Sequence, residues 1–357
     1  MTPDDILDLR QRNQGLVGAT FRKPEDVVSW FGAVQAQDYL GALWALGLRT
    51  RAATEARVEA AEARRAIVRT WPMRGTLHFV AAADVRWMTH LLAPRVLARN
   101  AARFEREFDV DARLIQRARE IVTRELAGGK RLERSALYAK LDARRIRTAG
   151  SRGLHILLWL AMEGTICLAG RQGKQHTFAL LDEWIPASKP LDRDAAFAKL
   201  ARRYFTSHGP ATQRDLMWWA GITAKDAQAA IDVVKGELTS ARVDGTDYWW
   251  HESPGARRAR RGPVVKLLPP FDEHTVAYQD RSLLVPGKHP GYGVLGPVVV
   301  IDGRVLGEWR RTLNSGKSKR PGVTVRTRLR RKLTPAERAA LAGTIEDYAR
   351  FLGREPT

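Results

Sequence analysis

The 357-residue chain has a single cysteine, Cys167. That excludes an internal disulfide and a thiolate cluster for zinc or iron–sulfur chemistry, and leaves the thiol as core filling. Long apolar runs are missing too, since no stretch approaches the roughly 20 residues that a membrane-spanning helix needs. The first residues, Met1-Thr2-Pro3-Asp4-Asp5-Ile6, carry acid where a secretory leader carries base followed by an apolar segment, so a cytoplasmic, nucleoid-associated location is expected. The eight histidines are scattered without metal-ligand spacing, and neither a metal nor a cofactor is expected. Negative charge is scarce: 39 Asp and Glu stand against 60 Lys and Arg, a formal excess of +21.

Solubility does not require that excess, whereas a polyanion rewards it, because each neutralised phosphate releases condensed counterions. An arginine-rich proteome would raise the charge without any such partner, so placement decides. From Arg304 through Lys332 eleven lysines and arginines stand against the single carboxylate of Glu308, a local excess. Duplex DNA is the expected partner. The tryptophan pairs Trp218-Trp219 and Trp249-Trp250 lie in core-like or hairpin-like patterns rather than on a base-stacking platform.

Phosphate-binding motifs are absent on inspection. Gly291-Tyr292-Gly293-Val294-Leu295-Gly296 matches the dinucleotide fingerprint in letters, but no strand precedes it and a strand rather than a helix follows. Gly316-Lys317-Ser318 resembles the end of a phosphate loop, yet Arg311 occupies the position of its first glycine.

Periodicity and turn chemistry point to an α+β chain. Helices are expected from Ala196 to Phe205, Gln213 to Ala220 and Thr223 to Gly236, followed by a hairpin within Ala241–Trp250 that turns at Asp244-Gly245. Three helices and a hairpin make a winged helix. The order recurs upstream, with helices Leu132–Leu141 and Ser151–Glu163 before strands Thr165–Ala169 and Gln175–Leu180, and more loosely with helices Pro24–Ala36, Leu40–Leu48 and Glu55–Ala66 before strands Ile67–Thr70 and Thr76–Val80. Helices Ala82–Ala93 and Asp111–Leu126 would link the first copy to the second. Beyond Pro254 the chain turns β-rich, with Asp302-Gly303 as its clearest hairpin turn, a strand Val323–Leu329 and a closing helix from Pro335 to Leu352. The expected divisions are a first winged-helix module with connecting helices over 1–126, a second over 127–190, a third over 191–252, and a basic β-rich region over 253–357.

Gln35-Ala36-Gln37 stands apart, because two amides in an apolar helix-to-helix junction are costly to bury unless they are used. They could cap helix ends or bind neighbouring backbone. On a continuous helix the two would diverge by about 200°, so a shared site requires a break near Ala36, where Asp38 could act as a cap.

The segment Val34-Gln35-Ala36-Gln37-Asp38-Tyr39 is followed by Arg69-Thr70-Trp71-Pro72-Met73-Arg74-Gly75-Thr76-Leu77-His78, then Gly209-Pro210-Ala211-Thr212 with Asp215 and Trp218-Trp219, then Leu267-Leu268-Pro269-Pro270-Phe271-Asp272-Glu273. These blocks resemble, in order and over nearly the whole chain, the AlkZ/YcaQ-like bacterial winged-helix DNA glycosylases. The resemblance implies tandem winged helices with an added β region. It also implies that Gln35 and Gln37 form the Gln-x-Gln catalytic motif of the AlkZ-like branch, with Gln37 orienting the attacking water and Gln35 assisting. The implied reaction is hydrolysis of the N-glycosidic bond of bulky N7- or N3-alkylated purines, including interstrand crosslinks, by a monofunctional and monomeric enzyme in repair or self-resistance. Arg310, Arg311, Lys317, Lys319 and Arg320 are the candidates for DNA contact by position, with Arg74 and His78 from the first module. The rivals are a non-enzymatic winged-helix regulator, which would dimerise on a palindrome, and a structural nucleoid protein, which needs only charge.

Overall fold

The computed structural model describes residues 1–17, 21–252, 262–285, 293–314 and 321–357. The chain is α+β, and its contacts gather into two compact units, each discontinuous in sequence: 1–58, 198–219 and 223–357 form one, while 59–197 and 220–222 form the other. Gly291, Tyr292, Lys317, Lys319 and Arg320 lie outside the described residues.

In the second unit the strands Thr76–Ala81, Ile67–Met73, Ile166–Gln172, Gln175–Leu180 and Leu132–Glu133 lie side by side in that order. Its core gathers Phe104, Trp159, Leu160, Ile166 and Phe178. Helix Ala112–Leu126 faces that core with Ile115, Ala118, Val122 and Leu126, the spacing of one helical face, and Asp111 caps it by accepting from the Leu114 amide at 2.7 Å. Cys167 is wholly buried, and burial pushes its thiol up, so the side chain is core filling, as expected of the lone cysteine.

Two expectations fail in this unit. The helix expected to stop at Ala93 runs from Ala82 to Phe108 with Pro94 inside it. Proline removes one backbone donor, but Phe104 is buried in the core against Trp159 at 5.8 Å, and tertiary packing carries the helix past the local rule. Leu132–Glu133 is a strand, and the helix expected from Leu132 begins only at Arg134.

The first unit opens with helix Pro3–Asn13, closed by a reciprocal Thr2 and Asp5 capping box. In chain order helices Arg193–Ser207, Gln213–Ala220 and Ala224–Val234 precede the hairpin Thr239–Val243/Thr246–Trp250. Asp244 and Gly245 have φ of +48° and +77°, the left-handed pair that the two-residue turn demands. Gly209 is required by close approach: a Cβ there would lie 2.3 Å from the Phe205 carbonyl oxygen and 2.6 Å from the Trp250 Cβ. A five-stranded sheet follows in the order Glu355–Pro356, Gly322–Leu329, Arg304–Asn314, Val298–Ile301, Val265–Leu268, and Asp302-Gly303 makes its expected turn at φ +52° and +82°.

Helix Pro335–Phe351 packs Tyr348 against Trp44 and Trp309, with ring centroids 4.8 and 5.1 Å apart. Thr334 and Glu337 close its capping box, and Arg331 donates to Glu337 through two bonds of 2.6 and 2.7 Å. Arg331 first, then the Thr334 amide, holds the Glu337 carboxyl down at about 2 against an ordinary 4.5. A depressed carboxylate contributes stability that is complete above its unfolded pKa and is lost as pH falls through the folded one. Acid melting of Glu337→Gln is therefore expected to be flatter than that of the parent between pH values of about 4.5 and 2. Equal slopes would remove the pair from the stability of this helix.

Candidate active site

Helix Pro24–Phe31 starts well, with Pro24 at its first position and Glu25 and Asp26 in its first turn. It ends five residues short of the expected Ala36. Gly32 takes φ +84°, a conformation strained for any side chain, and a Cβ there would lie 3.6 Å from Arg203 Cδ and 3.8 Å from the Trp219 ring. Ala33–Gln35 is then a buried strand, Ala36 lies in neither helix nor strand, and Tyr39–Gly47 begins the next helix. Asp38 caps that helix by accepting from the Gly41 amide at 2.8 Å. The break that a shared glutamine site requires is present, with Gln35 7% exposed and Gln37 on the surface.

Behind the glutamines stands a buried polar cluster. The Gln35 backbone N–H donates to Glu273 Oε1 at 2.8 Å, and Glu273 Oε2 accepts from Trp219 Nε1 at 3.0 Å and meets His208 Nε2 at 3.2 Å. Glu273, His208 and Trp219 are each at most 1% exposed. Burial, the largest influence on His208, lowers its pKa, and the hydrogen bond to Glu273 opposes that shift. His208 Nδ1 lies 2.8 Å from the Ser207 hydroxyl.

Asp272, the neighbouring residue, is pinned equally firmly. Arg49 donates to it through Nη1 and Nη2, both at 2.8 Å, and the same guanidinium donates to the Gln14 and Ala45 carbonyls at 2.8 Å. Both partners are buried. Asp272 also accepts from the His274 amide at 2.9 Å, capping the short helix that carries Glu273.

Beside Asp38 opens a cavity of about 320 Å³, walled by Trp44, Pro270 and Trp309 and rimmed by Arg310 and Arg311. The wall tryptophans are fixed by indole bonds of 2.8 Å, Trp44 to the Leu267 carbonyl and Trp309 to that of Leu268. Two of the basic residues anticipated for DNA contact thus share a cavity with the neighbour of Gln37. They differ in character, since Arg311 donates to the Tyr348 hydroxyl while Arg310 is exposed directly opposite Arg326 across the sheet. Like charges facing each other across strands repel, an arrangement relieved by a polyanion. Not all of the basic segment is available for that purpose, because Arg304 pairs with Asp4 and Arg331 with Glu337.

Arg74 and His78 belong to the second unit. Arg74 and Gly75 form the turn between two strands, at φ +55° and +72°, and Arg74 Nη2 lies 3.3 Å from His78 Nε2. His78 is fully buried and its Nδ1 reaches the Thr76 carbonyl at 2.9 Å, so the imidazole supports Arg74 rather than facing solvent.

Glu273, His208 and Arg49 carry no role in the sequence reading. The clue to Glu273 was the Asp272-Glu273 pair closing an apolar Leu267–Phe271 run, where carboxylates are expensive to bury and must find donors. Among the described residues no cluster of three or more His, Cys, Asp and Glu could hold a metal ion, and no helix is long and apolar enough to cross a membrane.

Known proteins resemble this chain throughout its length. An interstrand DNA cross-link repair glycosylase of Streptomyces sahachiroi is 26% identical over 324 residues, covering 84% of this chain and 85% of its own. The solved structure of the Streptomyces sahachiroi DNA glycosylase AlkZ superposes with a TM-score of 0.80 at 23% identity, over 100% of this chain and 98% of that one, and so shares its fold. The family model of AlkZ-like DNA glycosylases matches residues 28–351, a span that contains Gln35, Gln37 and the cluster behind them, and the chain belongs to that family.

Proposed function

We propose that the protein is a monofunctional DNA glycosylase that hydrolyses the N-glycosidic bond of bulky N7- or N3-alkylated purines in duplex DNA, crosslinked purines included, and that Gln35 and Gln37 are its catalytic residues. The observation that carries this reading is the broken helix, which places one buried and one exposed glutamine on either side of Ala36 in front of a rigid polar cluster. The family relationship and the cross-link repair glycosylase among the relatives support the same reaction class.

An alkylated purine is already cationic and departs without a strong general acid. Water oxygen bonds to C1′ as the C1′–N bond breaks, the bonding pair neutralises the purine ring, and the water proton passes to solvent. An amide is too weak a base to take that proton in advance, but its carbonyl oxygen can hold and aim the water, and its dipole can favour the developing oxocarbenium. Gln37, at the surface, holds the water. Gln35, fixed through its backbone, orients the sugar or shares the water. No lysine is assigned to Schiff-base chemistry, so the product is an abasic site. The helix-and-hairpin groups at 127–190 and 191–252, with a third at 1–126, act as winged helices against the duplex, and Arg310 with its basic neighbours provides phosphate contact.

The test is a duplex carrying a single N7-alkylguanine. Free modified base and alkali-labile strands are expected with the wild type, from a bulky adduct as well as a simple methyl. Release of no base from any N7 or N3 adduct would overturn the proposal and leave a binding protein.

A further inference from the structure

The pair Trp218-Trp219 reads in sequence as core or hairpin packing rather than as a stacking platform, and the structure divides it. Trp219 is wholly buried, whereas Trp218 is 44% exposed and is the one exposed tryptophan among the chain's eleven. A single apolar side chain at the surface needs no explanation by itself. What distinguishes Trp218 is how it is held. Its indole Nε1 donates to the Val276 carbonyl at 2.9 Å, and the Arg281 guanidinium lies 5.2 Å from the ring. Arg281 is tied in turn, its Nε donating to the Thr275 carbonyl at 2.8 Å. The one polar atom of the indole is thus turned inward, the surface left outside is carbon, and the ring is fixed before any ligand arrives.

Its place in the fold is equally particular. Val276 ends the helix Glu273–Val276, and Glu273 at its start accepts from the Gln35 backbone N–H at 2.8 Å. Four residues of helix, about 6 Å in length, therefore join the glutamine segment to Trp218. One turn earlier on helix Gln213–Ala220, Arg214 lies on the same face as Trp218, is exposed, and makes no ion pair among the described residues. The carboxylate next to it, Asp215, is buried, paired with Arg10 at 3.8 Å and accepting from the Gln279 backbone N–H at 2.9 Å.

A fixed aromatic face with two arginines beside it has the composition of a base-stacking site, where cations take phosphate and the ring takes any base. An apolar protein surface would gain nothing from those cations. We propose that Trp218 stacks on an unpaired nucleobase of the bound duplex, the partner of the purine that is released. The inference rests on the glycosylase reading above, because removal of the purine is what leaves its partner unpaired.

The test is affinity for two duplexes of one sequence, one intact and one with a tetrahydrofuran abasic analogue at a purine position, measured beside melting temperature. The wild type is expected to bind the abasic duplex more tightly by about 5- to 100-fold, the scale of stacking one base on an aromatic ring. Trp218→Ala is expected to bring that ratio to within about 2-fold of unity. Its Kd for the intact duplex should stay within about 2-fold of wild type, because phosphates dominate it. Trp218→Leu keeps apolar bulk without a flat ring and is expected to lose the preference as well, so it serves should the alanine variant fail to accumulate as folded protein. Equal affinity of the wild type for both duplexes overturns the proposal. So does a folded Trp218→Ala or Trp218→Leu protein that keeps the wild-type ratio, which would assign the exposed ring to a partner other than a base. Base release from an N7-alkylguanine duplex is read separately: a wild type that releases none removes the glycosylase reading, while the affinity ratio still reports the stacking by itself.

Discussion

Gln37→Ala is expected to lower single-turnover base release by about 100- to 1,000-fold, or roughly 3–4 kcal/mol of transition-state stabilisation, the scale on which removal of one preorganised dipole acts. The expected effect is almost purely chemical. Gln37 lies on the surface beside a helix cap provided by Asp38, so trimming it leaves the core and the cap in place. Its melting temperature should stay near that of the parent, since surface substitutions away from special features usually fall within about 0.5 kcal/mol. Duplex affinity should hold as well, because phosphate contacts dominate it. Gln35→Ala must be read with more care: Gln35 is buried, and truncation there removes packing together with chemistry. Release by Gln37→Ala at more than about a tenth of the wild-type rate would mean that the water is held elsewhere.

The parts of the fold legible in the sequence are those decided locally. Asp244-Gly245 and Asp302-Gly303 turn where they must, because the left-handed pair needed by a two-residue hairpin is encoded in the two residues themselves. Thr223, Asp111 and Thr334 cap the helices they precede for the same reason. Errors arise where packing at a distance overrules a local signal. Pro94 reads as a helix stop, yet the helix continues another fourteen residues to Phe108 because Phe104 has a core to enter. Gly32 is a different case, a local stop missed within an apolar run: its φ of +84° and its amide donating to the Val28 carbonyl end the helix at Phe31.

The candidate site divides in the same way. Gln35 and Gln37 are conspicuous in sequence because amides are unusual in an apolar junction, and their resemblance to a motif supplies the chemistry. Glu273 and His208 are 65 residues apart, and nothing near either announces the other. Charge counting is blunter still: Arg310 and Arg311 are equivalent in composition, but one is exposed opposite Arg326 and the other is engaged with Tyr348. A net charge of +21 suggests a polyanion without identifying which arginines meet it.

Asp272→Asn is expected to be the most destabilising conservative change near the site. It keeps size and one carbonyl oxygen but places an NH2 group against the Arg49 guanidinium, leaving a buried cation without its counter-charge. Removing one partner of such a pair costs about 3–5 kcal/mol, which for a domain of this size corresponds to a fall in melting temperature of roughly 6–20 °C. Replacing both partners offers only partial relief, because Arg49 also satisfies the Gln14 and Ala45 carbonyls, and Arg49→Met would strand those acceptors. The double variant Arg49→Met/Asp272→Asn should therefore be less destabilised than the sum of the single changes, by about 1–3 kcal/mol of coupling, yet remain below the parent. Melting within about 2 °C of wild type by Asp272→Asn would show that the pair contributes little. Function should follow stability here more closely than at Gln37. Asp272 caps the short helix on which Glu273 sits, so weakening this frame loosens the carboxylate that holds Gln35, and base release should slow even below the melting transition.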